Sequence, residues 1–139
     1  MAYILDSGFV YAQLNGKDVW HPKVSATILE VEREPLILPD PAITEVAYLL
    51  ARRVGLKAAA DFVEGLADTD LVIECPTSSD FLRSAEILRK YNDQNIDFVD
   101  ACIVAMAERL NITTILTIDR RHFSIFRPTH CDSFELLPD

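Results

Sequence analysis

NIDFVDACIVAMAERLNITTILTIDRRHF, residues 95–123, spells out a helix, a turn and a strand in succession. From Phe98 to Ala107 it is nearly continuous apolar helix-former, interrupted once, by Asp100. A carboxylate without a partner in such surroundings is costly, because its charge is taken out of water. The β-branched run from Thr113 to Ile118 then ends abruptly at Asp119. One acid at the start of a buried helix and another just past a buried strand make a candidate metal site.

The rest of the chain repeats the alternation of strand and helix. Ala2–Leu5 predicts a first buried strand ending at Asp6, followed by a short helix over Ser7–Leu14 and a break at Gly16. Val24, Ile28 and Val31, spaced four and three apart, predict a helix from Val19 to about Val31. Leu36–Leu38, between Pro35 and Pro39, is a second strand, and Thr44–Val54 a helix stopped by Gly55. This places Glu45 in that helix's first turn. Leu56–Leu66 is amphipathic, with Phe62, Val63 and Leu66 expected inward, and Asp70–Glu74 is a third strand.

Ser78 or Ser79 is expected to cap a helix running to about Tyr91, with Phe81, Leu82, Ala85 and Leu88 on its buried stripe. Phe98–Leu110 and Thr114–Ile118 supply the next helix and fourth strand, and Phe134–Leu137 a fifth. Uniformly apolar strands alternating with helices mean an α/β domain with a mainly parallel sheet covered on both faces. Ligands in such sheets bind outside the carboxyl ends of the strands, where strand order reverses.

Composition narrows the class. The chain's 139 residues are half apolar and a quarter charged, enough for one globular domain over 1–139 with a core of its own. No apolar run is long enough to span a bilayer, and MAYILDSGF does not read as a secretory leader. Cys75, Cys102 and Cys131 form no CxxC pair and read as reduced thiols, with Cys102 in the core, in a cytoplasmic protein. A net charge of −9 argues against a general nucleic-acid binder with a broad basic face. It fits an enzyme whose acids are partly neutralised by metal, and also a basic protein partner. Locally, Arg52, Arg53 and Lys57 form one basic stretch, and Arg109, Arg120, Arg121 and Arg127 another.

With parallel strands, Asp6, Glu45, Asp100 and Asp119 all gather at one edge of the sheet. Three also have an ordinary role open to them: Asp6 a helix cap, Glu45 a first-turn glutamate, Asp119 a turn residue beside Arg120 and Arg121. Asp100, with apolar flanks on both sides, is the hardest to explain so. Asp97 precedes Asp100 by three and is expected mainly as the N-cap, secondarily as a ligand. Four carboxylates in one partly buried pocket repel one another, and a divalent cation is the simplest neutraliser. Hard oxygen donors select Mg²⁺ or Mn²⁺, and no His or Cys stands at zinc spacing.

YILDSGFVYA (Asp6), PAITEVAYLLAR (Glu45), IDFVDACIVAMAERLNI (Asp100) and ILTIDRRHF (Asp119) occur in an order that resembles the PIN-domain ribonucleases, particularly the VapC-like toxins of prokaryotic toxin–antitoxin pairs. The resemblance covers essentially the whole chain. It implies a three-layer α/β/α sandwich with about five strands, and a Mg²⁺- or Mn²⁺-dependent endoribonuclease cutting RNA phosphodiesters. Position by position, Asp6, Glu45, Asp100 and Asp119 match the family's acidic quartet, Ser7 a small polar position beside the first acid, and Thr117 one beside the last. Arg52, seven residues after Glu45, and Arg120 and Arg121 are candidates for RNA phosphate contacts. A cognate antitoxin and a homodimer are further expectations of the family.

Other classes fit less well. There is no P-loop or GxGxxG for nucleotides. An aspartyl-nucleophile phosphatase would carry a second Asp two residues after the first, where this chain has Gly8. The alternatives left open are a non-catalytic PIN-like module that binds metal or protein, and an RNA-processing nuclease outside any toxin–antitoxin pair.

Overall fold

The computed structural model describes residues 1–139. Five strands, β1 (Tyr3–Leu5), β2 (Leu36–Pro39), β3 (Val72–Glu74), β4 (Thr114–Leu116) and β5 (Glu135–Leu137), form one sheet in the order β3-β2-β1-β4-β5. Every pairing is parallel. Seven helices connect and cover the strands: α1 (Ser7–Leu14), α2 (His21–Val31), α3 (Asp40–Arg53), α4 (Leu56–Gly65), α5 (Ser78–Lys90), α6 (Phe98–Leu110) and α7 (Arg120–Phe123). A 3₁₀ turn at Leu66–Asp68 follows α4.

Alternation along the strands builds two apolar layers, since successive side chains point to opposite faces. Ile4, Ile37 and Ile115 pack with α6, with Ile87 of α5, and with Phe123 and Phe126. Leu5, Leu36, Leu38 and Leu116 pack on the other side, with α1, α2 and α3. The result is a three-layer sandwich. Helix α6 is its most deeply covered element, with every residue from Ala101 to Ala107 buried.

The topology fixes where chemistry can sit. From β1 the chain moves outward to β2 and β3, then returns through α5 and α6 to β4 on the opposite side of β1. Strand order therefore reverses between β1 and β4, and a crevice opens beyond their carboxyl ends. Asp6 directly follows β1 there, and Asp119 stands three residues beyond β4.

Several local expectations are corrected. Helix α3 starts at Asp40 rather than Thr44, because Pro41 in its first turn needs no N–H and has a helical φ already. Glu45 therefore lies in the second turn. Helix α5 is capped by Thr77, in a capping box with Asp80, rather than by Ser78 or Ser79. Its buried stripe is Asp80, Ser84 and Ile87, which leaves Phe81 and Leu82 54% and 71% exposed. The inward pull of Asp80 toward Arg109 sets this rotation. Val63 of α4 is exposed, and only Ala59 of that helix is fully buried. Strand β3 is not covered on both faces: it pairs with β2 alone, and Val72 and Ile73 at this edge meet solvent.

Candidate active site

Three acids at the crevice stand at helix starts, a consequence of parallel strands feeding helices at one edge. Asp6 is the N-cap of α1, its carboxylate accepting from the Ser7 N–H at 2.8 Å. Asp119 caps α7, accepting from the His122 N–H at 3.1 Å. Asp97 caps α6 in a reciprocal box with Asp100: the Asp100 N–H donates to Asp97, and the Asp97 N–H donates to Asp100. Helix N-termini favour negative charge, so the same positions suit capping and anion clustering at once.

One pocket joins these groups, lined by Asp6, Ser7, Gly8, Glu45, Asn95, Ile96, Asp97, Asp100, Ile118, Asp119 and His122. The four acids singled out from the sequence all face it. Hydrogen bonds connect three of them. The Ser7 hydroxyl donates to Glu45. The Thr117 hydroxyl, fully buried beneath the pocket, donates to Asp6 at 2.8 Å and accepts from the Asp119 N–H at 2.9 Å. Gly8 lets α1 approach Ile118 closely; a Cβ there would come within 3.2 Å of the Ile118 side chain.

No lysine or arginine lines the pocket. The electrostatic result is plain. Burial pushes the Asp6 carboxyl up to about 6, and the negative charges of Glu45 and Asp119 add to it, against the hydrogen bonds from Thr117 and Ser7. Asp100 is pushed up further, to about 8, by burial first and then by the charges of Asp97 and Asp6. For want of a positive neighbour, Asp100 keeps its proton at neutral pH and Asp6 keeps its own only into the mildly acidic range.

A divalent ion fits this donor set. The carboxylates of Asp6, Glu45, Asp97, Asp100 and Asp119 and the Ser7 hydroxyl are hard oxygen donors facing one space. In the ion's absence, burial and mutual repulsion raise the pKa of two of the acids, Asp6 and Asp100. No three acidic, His or Cys groups stand close enough to form a ready-made cage. Ion binding therefore requires small side-chain adjustments that bring these held carboxylates together.

The three arginines expected near the substrate do not line the pocket. Arg120 Nη1 donates to the carbonyls of Leu136 and Pro138, at 3.0 and 2.8 Å, and ties α7 to the end of β5. Arg52 lies over the Tyr48 ring, and Arg121 is exposed. The sequence reading missed His122, whose Nδ1 lies 2.6 Å from Asp119. The signal was present as an acid followed three residues later by histidine at a helix start.

Comparison with known proteins agrees with this geometry. The PIN domain family matches residues 3–127. Ribonuclease VapC26 of Mycobacterium tuberculosis is 33% identical over 135 residues, covering 97% of this chain and 99% of that protein. The crystal structure of M. tuberculosis VapC20, a sarcin–ricin-loop-cleaving toxin, superposes with a TM-score of 0.74 at 22% identity, over 81% of this chain and 86% of that one. VapBC2 from Rickettsia felis, bound to a promoter DNA fragment, gives 0.70 at 14% identity, over 98% and 97% of the two chains. The chain belongs to the PIN-domain family, among its VapC ribonuclease toxins.

Proposed function

We propose that residues 1–139 act as a single PIN-like domain, a Mg²⁺- or Mn²⁺-dependent endoribonuclease and the toxin of a toxin–antitoxin pair. One observation carries the reading: Asp6, Glu45, Asp100 and Asp119 share a pocket at the strand-order reversal with no cation of the chain's own. Asp6, Asp119 and Asp100 would hold a divalent ion, with Glu45 holding a second or orienting a water molecule. Bound there, the ion would acidify a water and offset the negative charge gathering on a phosphodiester under attack.

The chain's own residues do the rest. Thr117 and Ser7 fix the rotamer of Asp6, and Ser7 also fixes Glu45, so the acids are oriented before substrate arrives. Asp97 holds the start of α6 and so the height of Asp100 in the crevice. Arg52 and Arg121, exposed and outside the pocket, are suited to backbone phosphates of a bound RNA.

A basic antitoxin segment laid over the acidic edge, with an arginine among the carboxylates, would silence the enzyme. The VapBC structures from Rickettsia felis and Salmonella typhimurium and the FitAcB structure from Neisseria gonorrhoeae support looking for such a partner. A homodimer has apolar surface available to it in Phe81, Leu82 and Phe98, where the Phe81 and Phe98 rings stack at 6.2 Å. No helix is long and apolar enough to cross a membrane. A cytoplasmic site of action fits an RNA substrate and three free cysteines.

The test is cleavage of structured RNA by purified protein with Mn²⁺, with EDTA, and by Asp6→Asn. Cleavage that needs the ion and is lost in the variant supports the reading. An inert wild type, or a variant as active as wild type, overturns it.

A further inference from the structure

Asp119 is held by more than a cap requires. The main-chain N–H of residue 122 reaches one carboxylate oxygen at 3.1 Å, a bond any residue at that position would make. The imidazole adds a second bond, from Nδ1 to the other oxygen at 2.6 Å. The two bonds bracket both oxygens from one residue. The His122 ring also lines the acidic pocket, and its Nε2 has no partner within the chain.

The platform under this bracket is rigid for so short a helix. Phe123, the next residue, is fully buried against Phe126 and the layer beneath α6. Arg120 anchors the start of α7 to the Leu136 and Pro138 carbonyls. The Asp119 N–H is fixed to Thr117, which in turn holds Asp6. Asp119 is thus gripped on its main chain from below and on its carboxylate from the side. Were α7 only a connection to β5, the arginine and phenylalanine anchors would suffice.

We infer that His122 is a positioning residue of the ribonuclease site: its imidazole fixes the Asp119 carboxylate as an ion ligand. The inference rests on the nuclease reading above. Groups that orient ligating carboxylates typically alter metal affinity by about 10- to 100-fold when removed. The site requires carboxylates to converge on an ion, and a carboxylate already held in one rotamer loses less freedom on binding.

The experiment is a Mn²⁺ titration of the full chain followed by electron paramagnetic resonance, on wild type, Asp119→Asn, His122→Ala and His122→Asn. RNA cleavage is measured in parallel across Mn²⁺ concentration. Asn at 122 offers an N–H near the position of Nδ1, so it retains the bracket while losing the ring. The expected result is about tenfold or greater weakening in His122→Ala, near-wild-type affinity in His122→Asn, and cleavage by His122→Ala that recovers as Mn²⁺ is raised. If wild type binds Mn²⁺, Asp119→Asn does not, and His122→Ala binds as wild type does, this inference alone is overturned. It is overturned equally if His122→Asn falls as far as His122→Ala. A wild type that binds no Mn²⁺ overturns the nuclease reading and this inference together.

Discussion

Asp80 and Asp6 are both buried aspartates at helix starts, 2% and 5% exposed, and the chain treats them in opposite ways. Asp80 accepts from the Thr77 N–H at 2.9 Å and from Arg109 Nε at 3.0 and 3.1 Å, so its charge meets a guanidinium inside the fold. Arg109 also reaches Glu74, and Arg83 beside it binds Glu108. Asp6 accepts from the Thr117 and Ser7 hydroxyls and the Ser7 N–H, with Glu45 and Asp119 near it and no base. A structural acid is closed off by a partner from the same chain. An acid that serves a ligand is oriented but left without a counter-charge.

Mutation should separate the two. Asp80→Ala leaves Arg109 with Glu74 alone and removes the capping box of α5, and should cost about 1–3 kcal/mol of stability, as read by urea unfolding. Asp6→Asn should reduce RNA cleavage by more than about a hundredfold, beyond what loss of an orienting group does. The same variant should unfold at a higher temperature than wild type at pH 8 without metal, because a buried unpaired carboxylate is gone. If Asp6→Asn proves as destabilising as Asp80→Ala, the distinction collapses.

Acidity offers the next contrast. Asp6 binds its proton up to about pH 6 and Asp100 to about 8 when folded, against about 4 for an unfolded aspartate. The folded state thus holds more protons than the unfolded state in that window, so stability without metal falls as pH rises from about 4 to 8. Asp6 alone accounts for on the order of 3 kcal/mol of that loss. Mn²⁺ competes with those protons, so the rise in melting temperature that it produces should grow with pH. Thermal unfolding at pH 5 and 8, with and without Mn²⁺, measures both trends.

Smaller effects sharpen the picture. Thr117→Val removes a buried hydroxyl shared by Asp6 and the Asp119 N–H and should cost about 1–3 kcal/mol. It should also lower cleavage roughly tenfold, within the range for orienting groups. Smallest is the change in Arg52→Ala or Arg121→Ala: a rise of a few-fold in KM for RNA that shrinks as salt is added. Arg120→Ala should instead lower stability, since that side chain holds the end of β5.

The acidic quartet was legible in the sequence because strand ends and helix starts share one edge in a parallel sheet. That geometry follows from alternating patterns alone, and it brought Asp6, Glu45, Asp100 and Asp119 into one pocket. The stripe of α5 was not legible. Counting apolar residues favours Phe81 and Leu82, whereas the capping box and the pull of Arg109 on Asp80 decide the rotation. Arg120 and Arg121 are adjacent, identical in type and both exposed, and only tertiary structure shows that Arg120 is tied to carbonyls. His122 fell in a stretch to which the sequence patterns assign no element, and the four-residue helix that turns it back onto Asp119 is too short to leave a periodic signal.

The measurement closest to the central claim is the proton count on ion binding. Mn²⁺ titrated into the apo protein at pH 6, by calorimetry in buffers of differing ionisation enthalpy, should release about 1.5 protons per ion, because Asp6 is half protonated there, Asp100 almost wholly so, and both give their protons up. The release should decline toward pH 8.5 and be reduced in Asp6→Asn. Binding with no proton released at pH 6, or no binding at all, would contradict the account.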